Sequence, residues 1–369
     1  MSAQRIITSL LKTADVRIGG TRAEDIVVRN PGFYDRVLSD RELGLGESYM
    51  EGWWECGAID VALTKVLNAE LRRQIRPSLS LLFHVVRSKV INAQTRAKAT
   101  VNARYHYNIG NDLYERMLDP ELVYSCAYWK DASDLATAQR AKFDLICRKL
   151  HLQPGMTLLD VGCGWGGFLC HAVRNHGVIG YGISPAENQI QLARKRCAGL
   201  NVWFEQMDYR DVTGSFDRIV SIGMMEHVGP RNLPTFFATM DSVLAPDGMM
   251  LHHTIVSNKT KHHTDPFFDR YIFPGGVLPS LVQIAQAVER RFLIEDVHSF
   301  GPDYDRTLMA WHHNINSRWS EIPAYDTTFQ RMWNYYLLAS AAGFRARKLQ
   351  LLQVVFRRMR AGGVYVTAR

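Results

Sequence analysis

From about residue 155 onward, short apolar segments alternate with segments of helical spacing. The apolar segments have the length of strands, and only short connections separate them from the helical segments. Strands that alternate with helices in this way form a mostly parallel sheet covered on both faces. The sequence therefore predicts an α/β fold. The predicted strands are residues 157–161, 178–183, 202–204, 216–222 and 249–256, and a strand pair at 349–356 and 363–367 closes the sheet.

A glycine-rich loop follows the first predicted strand and precedes a predicted helix. Gly162, Gly164 and Gly167 satisfy the dinucleotide pattern GxGxxG, in which glycines let a ligand approach the backbone and the helix N-terminus. Two features argue against NAD: Asp160 stands two residues before the first glycine, and the second strand ends at Ser184 without a carboxylate for the ribose. The arrangement is instead that of the nucleoside-binding loop of S-adenosylmethionine (SAM) methyltransferases. A structural turn without a ligand is the alternative.

The excess of positive charge is concentrated in two stretches. The chain has 44 Lys and Arg residues against 36 Asp and Glu residues. Eight basic residues and no acid lie in residues 71–104, and seven basic residues and no acid lie in residues 340–369. Such patches favour an anionic partner, which is a nucleic acid, a phospholipid surface or a phosphorylated substrate. Solvated faces without a partner are the alternative.

The N-terminus and the cysteines predict a cytoplasmic protein. Thr8, Ser9 and Lys12 interrupt the first apolar run, which is therefore not a signal peptide. No stretch reaches the roughly 18 apolar residues of a membrane span, so any membrane contact is predicted to be peripheral. The six cysteines form no CxxC pair and no zinc spacing, so we expect reduced thiols and no metal site.

The chain is predicted to contain two domains. Residues 1–95 have the pattern of short amphipathic helices around an aromatic segment at residues 44–54, and they form a predicted lipid-docking domain. Residues 96–105 are polar and basic, which is typical of a linker. Residues 106–369 form the predicted catalytic domain.

Several longer stretches carry a specific resemblance. They are residues 106–114 (HYNIGNDLY), 124–129 (YSCAYW), 159–167 (LDVGCGWGG), 225–229 (MEHVG), 253–255 (HTI), 271–275 (YIFPG) and 301–305 (GPDYD). With them, almost the whole chain resembles cyclopropane-fatty-acyl-phospholipid synthases. Residues 44–54 (GLGESYMEGWW) match the additional N-terminal domain of the bacterial phospholipid-acting members, which the mycolic acid members lack. The resemblance implies a class I SAM-methyltransferase fold, Rossmann-like, with a mostly parallel seven-stranded sheet and a smaller helical N-terminal domain.

The resemblance implies methylene transfer from SAM to the cis double bond of an acyl chain in a membrane phospholipid. The alkene attacks the sulfonium methyl, and a base then removes a proton from that methyl group so that the carbocation closes to a cyclopropane ring. Because water would quench the cation, the site must be dry and mostly apolar. In the family the base is a bicarbonate ion. Its implied ligands are the side chains of Cys126, Glu226, His253 and Tyr304 and the backbone of Ile255.

Each implied ligand also has an ordinary structural explanation. Cys126 could be a small buried hydrophobe, Glu226 an ordinary polar group of a loop, His253 a core histidine and Tyr304 a packing residue. His252 is not included, because neighbouring residues of a strand point to opposite faces.

The resemblance also implies the residues around SAM. Tyr124 and Ser125 match positions at the amino-acid end of the cofactor, and Ser184 and Gln189 match positions around the ribose. Gln189 would replace the missing ribose carboxylate. Residues 208–209 follow the third strand, where the adenine usually binds. The full set is Tyr124, Ser125, Asp160, Gly162, Gly164, Ser184, Gln189, Asp208 and Tyr209.

The implied partners are an anionic or zwitterionic phospholipid with an unsaturated acyl chain and the inner face of the membrane, with no nucleic acid. A homodimer is the usual family state. The basic stretch at residues 71–104 follows an apolar segment, and each Lys or Arg near such a surface contributes roughly 1 kcal/mol. Two alternatives stay open. One is a SAM methyltransferase that makes methyl- or methylene-branched lipids or acts on a small amine, and the other is a non-catalytic membrane- or nucleic-acid-binding protein.

Overall fold

The computed structural model describes residues 2–71 and 110–369, which form two compact units. The first unit contains residues 2–71, His262–Pro274 and Tyr304–Leu349. The second contains residues 110–261, Gly275–Asp303 and Gln350–Arg369. The predicted linker at residues 96–105 and most of the first basic stretch lie outside the described residues. The first unit is thus assembled from three separate parts of the chain.

A seven-stranded, mostly parallel sheet forms the centre of the second unit, which confirms the predicted fold class. Its strands are β1 Thr157–Val161, β2 Ile179–Ser184, β3 Val202–Gln206, β4 Phe216–Ile222, β5 Leu244–Ser257, β6 Phe292–Ser299 and β7 Leu349–Arg358. Their order in the sheet is β3-β2-β1-β4-β5-β7-β6. Strand β1 pairs in parallel with β2 and β4, β2 with β3, and β4 with β5, whereas β6 and β7 are antiparallel. The loops that follow β1, β2, β4 and β5 therefore leave the same carboxyl edge, where open α/β sheets bind ligands.

Apolar clusters cover both faces of this sheet. Ile219 and Met250 pack into one cluster, and their neighbours Val220 and Leu251 pack into the other, as the alternation of side chains along a strand requires. The helices that complete these clusters are formed by amphipathic segments of the sequence. The helices of the unit are Asn111–Met117, Leu135–Lys149, Gly167–His176, Glu187–Arg196, Met225–Val228, Leu233–Val243 and Leu281–Val288, with single turns at Tyr209–Asp211 and Pro230–Asn232.

The antiparallel end of the sheet differs from the prediction. Residues 363–367 form no strand, and β7 lies between β5 and β6, of which β6 was not predicted. Glu295 and Asp296 interrupt the apolar run of β6, so its pattern is weak in the sequence. Residues 363–367 have the β-branched and aromatic composition of a strand, but the position beside β7 is already taken by β6.

The cysteines also differ from the prediction. Cys170 and Cys197 form a disulfide, with their Cα atoms 5.7 Å apart. The expectation of six reduced thiols is therefore wrong for this pair. The two residues are separated by 27 positions, and the pairing depends on how two helices pack, which no sequence spacing reveals. The free cysteines are Cys56, Cys126, Cys147 and Cys163.

The first unit is helical. Two short strands, Val27–Val28 and Trp54–Glu55, pair antiparallel beside the helices. Gly46 allows helix Gly32–Met50 to approach Phe267 closely, because a Cβ at this position would lie 2.3 Å from the phenyl ring. Among the helices of residues 2–71 and 110–369, none has both the length and the hydropathy needed to cross a membrane. The helices of the unit are Ala3–Thr13, Gly32–Met50, Ile59–Asn68, Pro266–Tyr271, Pro302–Asn316 from Tyr304 onward, and Thr327–Arg345, with a turn at Trp319–Glu321.

The second basic stretch is largely neutralised by acids. In the first unit, Arg345 binds Asp60 at 2.6 Å and Asp305 at 2.9 Å. In the second unit, Arg369 binds Asp296, which also accepts an ion pair from Lys149 at 2.9 Å. These arginines stabilise the units in which they lie. The paired basic residues of the stretch are Arg345, Lys348, Arg357, Arg358 and Arg369.

Candidate active site at the carboxyl edge of the sheet

The glycine loop connects β1 to helix Gly167–His176. The φ angles of Gly162 and Gly164 are +90° and +53°, a region that glycine enters without the strain of a Cβ. A Cβ on Gly164 would meet no atom within 4 Å, so the backbone faces open space there. Asp160 at the end of β1 is 2% exposed, and its Oδ1 has no hydrogen-bond partner among the described residues. Burial raises the pKa of Asp160 to about 7.

Two other matched stretches pack against this loop. The rings of Trp165 and Tyr114 lie 5.0 Å apart, and Tyr114 lies 5.2 Å from Tyr124. The next residue, Ser125, lies beside the end of β4, since a Cβ on Gly223 would be 3.8 Å from its Cβ. Tyr124 and Ser125 are thus brought to the same edge of the sheet as the glycine loop.

Ser184 and Gln189 meet where β2 ends. The Ser184 hydroxyl donates to Gln189 Oε1 at 3.2 Å, and both side chains are buried. Because β2 neighbours β1 in the parallel sheet, this pair lies one strand away from the glycine loop. The structure therefore places the two predicted ribose positions together at the carboxyl edge.

Asp208 and Tyr209 follow β3 as predicted, but both already have protein partners. The Asp208 carboxylate pairs with Arg210 at 2.9 Å. The ring of Tyr209 packs 5.1 Å from Phe236, within the apolar cluster on one face of the sheet. The ring of Tyr209 therefore has a packing role, and its buried hydroxyl has no hydrogen-bond partner among the described residues.

Glu226 lies on the short helix Met225–Val228, just after β4. It is 8% exposed; its Oε1 accepts a hydrogen bond from the Ile255 amide at 2.6 Å, and its Oε2 has no partner among the described residues. Burial raises the pKa of Glu226 to about 7, although the Ile255 hydrogen bond lowers it. Met224 lies against the glycine loop, because a Cβ on Gly162 would be 3.0 Å from its side chain. The amide of Ile255 therefore orients Glu226 close to this loop.

His253 lies on β5, opposite Ile222 of β4. It is 1% exposed, its Nδ1 lies 3.3 Å from Gln353 Nε2, and its Nε2 has no partner within the described chain. Burial, together with the charges of Lys142 and Lys149, keeps the pKa of His253 well below its usual value, so the ring is neutral. With the Gln353 amide nitrogen as donor, Nδ1 accepts and Nε2 carries the proton. His253 therefore offers one buried N–H donor.

The adjacent histidine faces the opposite side of β5. The ring of His252 lies 5.2 Å from Phe236, 5.4 Å from Phe237 and 5.5 Å from Phe356. His252 is thus a core residue of the apolar cluster that contains these three phenylalanines.

Cys126 and Tyr304 are both buried. Cys126 follows Ser125, is 0% exposed, and has its Sγ 3.2 Å from the carbonyl oxygen of Ala127. Tyr304 belongs to the first unit, where its ring stacks on Phe344 at a centroid distance of 4.5 Å. The structure thus places four of the five implied bicarbonate ligands in the second unit and Tyr304 in the first.

Gln353 and Lys142 contact these groups but were not predicted as site residues. Gln353 lies beside His253, and Lys142 donates to the Ser125 hydroxyl at 2.7 Å. Lys142 and Gln139 share the buried face of helix Leu135–Lys149 with apolar residues. In the sequence, polar residues stand at helical spacing on an otherwise apolar face. This pattern could have marked Lys142 as a buried polar residue.

A group of metal-ligating atoms lies elsewhere in the second unit. Atoms of Cys147, His171 and His176 lie within 4.8 Å of one another. The two ring nitrogens of His171 are already hydrogen-bonded, to Asp144 at 2.8 Å and to Asn175 at 3.2 Å. A metal ion would have to displace one of these partners. No zinc spacing marks this group in the sequence because its members come from two different helices.

Comparison with known proteins identifies the family. Residues 94–354 match the family model described as mycolic acid cyclopropane synthetase. The cyclopropane-fatty-acyl-phospholipid synthase of Escherichia coli (strain K12) is 48% identical over 98% of this chain and 95% of that protein. The chain belongs to the cyclopropane-fatty-acyl-phospholipid synthase family. It is therefore an enzyme of the SAM-dependent methyltransferase class, as the sequence predicts, and family membership supports cyclopropane fatty acid synthesis as its activity.

Further relatives agree with this membership in the cyclopropane synthase family. A tuberculostearic acid methyltransferase of Mycobacterium tuberculosis is 33% identical over 90% of this chain and 83% of that protein. A solved mycolic acid cyclopropane synthase, complexed with S-adenosylhomocysteine and CTAB, has a TM-score of 0.65 and 32% identity, and the match covers 70% of this chain and 97% of that one. A coclaurine N-methyltransferase has a TM-score of 0.69 at 18% identity over 85% of this chain and 98% of that one, which shows a shared fold alone.

Proposed function

We propose that this enzyme transfers a methylene group from SAM to the cis double bond of an unsaturated acyl chain in a membrane phospholipid. The product is a cyclopropane acyl chain. The observation that carries this proposal is the 48% identity with the Escherichia coli synthase over 98% of the chain. That match extends to residues before position 94, outside the range of the family model. The shared N-terminal part is what a phospholipid-acting enzyme needs in addition to the methyltransferase sheet.

SAM is proposed to bind along the loops that follow β1 and β2. The unpartnered Oδ1 of Asp160 fits the ammonium group at the amino-acid end of SAM, with Tyr124 and Ser125 beside it. Open space at Gly164 lets the backbone contact the nucleoside, and Gln189 takes the ribose hydroxyls. Asp208 and Tyr209 are proposed at the adenine on the resemblance alone.

A bicarbonate ion is proposed to bind Glu226 and His253. The buried Oε2 of Glu226 is an acceptor without a donor, and the buried Nε2 of His253 is a donor without an acceptor in the described chain. Bicarbonate carries one hydroxyl and two further oxygens, so it satisfies both groups. When bound, it supplies the base that removes a proton from the transferred methyl group. Cys126 and Tyr304 belong to this ligand set on the resemblance alone, and Ile255 acts by orienting Glu226.

The chain itself supplies the positioning and keeps the site dry. The Ile255 amide fixes the Glu226 carboxylate, and Gln353 fixes the ring of His253. Both side chains are at most 8% exposed, so water reaches them poorly. A dry site protects a carbocation from hydration until the ring closes.

One assay tests the reaction. The pure protein is incubated with SAM and vesicles of unsaturated phospholipid, and the acyl chains are analysed by mass spectrometry. We expect a gain of one CH₂ with loss of the double bond. A gain of CH₂ on an added small amine, without any change in the lipid, would contradict the proposal. The role of bicarbonate as the base is tested by running the same assay in CO₂-free buffer, with and without added bicarbonate. Equal rates under the two conditions would exclude bicarbonate as the base.

Docking on the inner face of the membrane is proposed to use the basic stretch at residues 71–104. Arg87 and Lys89 stand at the end of its apolar segment, whereas most cations of the second stretch are paired with acids. The double substitution Arg87→Glu, Lys89→Glu should weaken sedimentation with anionic phosphatidylglycerol vesicles at least tenfold, since each basic residue contributes roughly 1 kcal/mol. Arg360→Glu, at an exposed position of the second stretch, is the matched control and should change sedimentation less than twofold. Equal effects would contradict the assignment.

A homodimer is also proposed, on the resemblance to the family alone. Sedimentation equilibrium of the full chain should give twice the 42.1 kDa of one chain. A single-chain mass at all concentrations would contradict it.

A further inference from the structure

Lys142 has a fully buried side chain beside the proposed SAM site. It lies in helix Leu135–Lys149, is 0% exposed, and its Nζ donates to the Ser125 hydroxyl at 2.7 Å. The nearest ring, that of Phe143, lies 5.1 Å from the ammonium group. Burial of an ammonium group is costly unless negative groups compensate for the lost water.

The titratable groups that interact electrostatically with Lys142 are Asp119, Cys126, Asp160 and His253. Asp119 already accepts hydrogen bonds from two backbone amides, at 2.9 and 3.0 Å. Asp160, in contrast, has an oxygen without a partner in the described residues. Burial lowers the pKa of Lys142 to about 7. Burial raises the pKa of Asp160, and the charge of Lys142 opposes this rise. Each of the two charges therefore favours the ionised form of the other group.

We propose that Lys142 is a positioning residue of the SAM site. It holds the Ser125 hydroxyl in place, and its positive charge favours the ionised form of Asp160. The ionised Asp160 then binds the ammonium group at the amino-acid end of SAM. This role of Lys142 rests on the proposed SAM site and adds a residue that lies in none of the matched stretches.

The same helix offers a matched control. Lys149 is also 0% exposed, but its Nζ pairs with Asp296 at 2.9 Å, and Arg369 binds the same carboxylate. Lys149 is thus a buried lysine whose charge is compensated away from the glycine loop. Any effect specific to SAM should appear when Lys142 is replaced and not when Lys149 is replaced.

The test compares two ligands in the wild-type protein, Lys142→Met and Lys149→Met by isothermal titration calorimetry. S-adenosylhomocysteine has the amino-acid end, whereas 5′-methylthioadenosine lacks it and keeps the nucleoside. Lys142→Met should raise the Kd for S-adenosylhomocysteine about tenfold or more, as expected for a lost charged hydrogen bond. Its Kd for 5′-methylthioadenosine should stay within about twofold, and Lys149→Met should lower Tm without changing either Kd by more than about twofold.

A second variant, Lys142→Gln, keeps a donor for Ser125 and removes the charge. In both Lys142 variants the pH at half-maximal affinity for S-adenosylhomocysteine should move upward, because Asp160 without the cation keeps its proton to higher pH. A purely structural role would not move this pH.

The results separate the possible failures. Equal losses of affinity for both ligands in the Lys142 variants, or an unchanged Kd for S-adenosylhomocysteine, would overturn the role of Lys142. If the wild-type protein did not prefer S-adenosylhomocysteine, the SAM site and this role would both be overturned. Intact preference without any change in the lipid would overturn the proposed function alone.

Discussion

Glu47 in the first unit and Glu226 in the second are both 8% exposed, yet their surroundings differ. Glu226 has one hydrogen bond from a backbone amide and one oxygen without a partner in the described chain. Glu47 is bound on both oxygens by side-chain donors at 2.7 to 2.9 Å. They are Arg36, Arg270 and Tyr271. Burial alone therefore does not mark a ligand site, whereas an unsatisfied buried oxygen requires an explanation.

Paired and unpaired surroundings recur at other buried acids, and Asp296 of the second unit is one of the paired acids. In the first unit, Asp25 is held by Arg22 at 2.8 Å and Asp60 by Arg345 at 2.6 Å. In the second unit, Asp160 at the glycine loop has an unpartnered oxygen among the described residues. Asp160 lies at the end of β1 and Glu226 just after β4, so their unsatisfied oxygens lie at the edge where a ligand would bind.

The largest expected effect is on Glu226. Glu226→Gln removes the charged acceptor but keeps the size of the side chain, so kcat for cyclopropane formation should fall by about a hundredfold or more. The Kd for S-adenosylhomocysteine should stay within about twofold, since Glu226 lies outside the proposed SAM contacts. Mass spectrometry of the acyl chains and calorimetry measure the two quantities. A parallel loss of both would contradict a role for Glu226 in the chemical step.

The same substitution at Glu47 should act on stability instead. Glu47→Gln leaves two arginines without their full partner, which should cost about 1–3 kcal/mol of unfolding free energy. Urea unfolding measures this loss, and kcat per folded enzyme should stay within about twofold. If Glu47→Gln lowered kcat as strongly as Glu226→Gln, the contrast between paired and unpaired carboxylates would have no functional meaning.

The sequence predicted the parallel part of the sheet well, because the buried strands β1, β4 and β5 have apolar patterns that few other structures produce. It failed at β6, where Glu295 and Asp296 mask the pattern, and at residues 363–367, where composition suggested a strand that has no partner. These outcomes depend on which segment occupies the place beside β7. Local pattern does not contain that information.

At the candidate site, the motifs named candidate residues but not their hydrogen bonds. The resemblance places Ile255 on bicarbonate, whereas its amide donates to Glu226 in the structure. Lys142 and Gln353 lie outside every matched stretch, and only packing brings them to Ser125 and His253. Contacts between residues distant in the chain were therefore the part that required a structure.

Two glycines extend the comparison to the backbone. Gly164 in the second unit and Gly52 in the first have φ of +53° and +74°, and a Cβ on either would meet no atom within 4 Å. Replacement by Ala should cost each about 1–2 kcal/mol of stability from the left-handed conformation. Only Gly164→Ala should also raise the Kd for SAM, by about tenfold, because the methyl group occupies the space where the ligand approaches the loop. Equal SAM affinities in the two variants would place the ligand elsewhere.

The smallest expected effect is a pH dependence of stability. The pKa of Glu226 is raised by burial from 4.5 to about 7, so between these values the folded protein holds a proton that the unfolded chain releases. The unfolding free energy contributed by Glu226 therefore falls as pH rises through this window. Glu226→Gln lacks this loss, so its stability relative to wild type should increase as pH rises from about 4.5 and level off above about pH 7.

The stability of Asp25→Asn relative to the wild type should change with pH in the opposite direction. Hydrogen bonds from Arg22 hold the pKa of Asp25 well below its usual range, so its contribution is present at neutral pH and is lost only as pH falls below 4. Asp25→Asn should therefore be less stable than wild type at pH 7, and the difference should shrink in acid. Urea unfolding at a series of pH values measures both differences. If the difference in unfolding free energy between Glu226→Gln and the wild type did not change between pH 4.5 and 7, the wild-type Glu226 carboxylate would be as well solvated or paired as that of Asp25. The contrast between the unpaired Glu226 and the paired Asp25 would then fail.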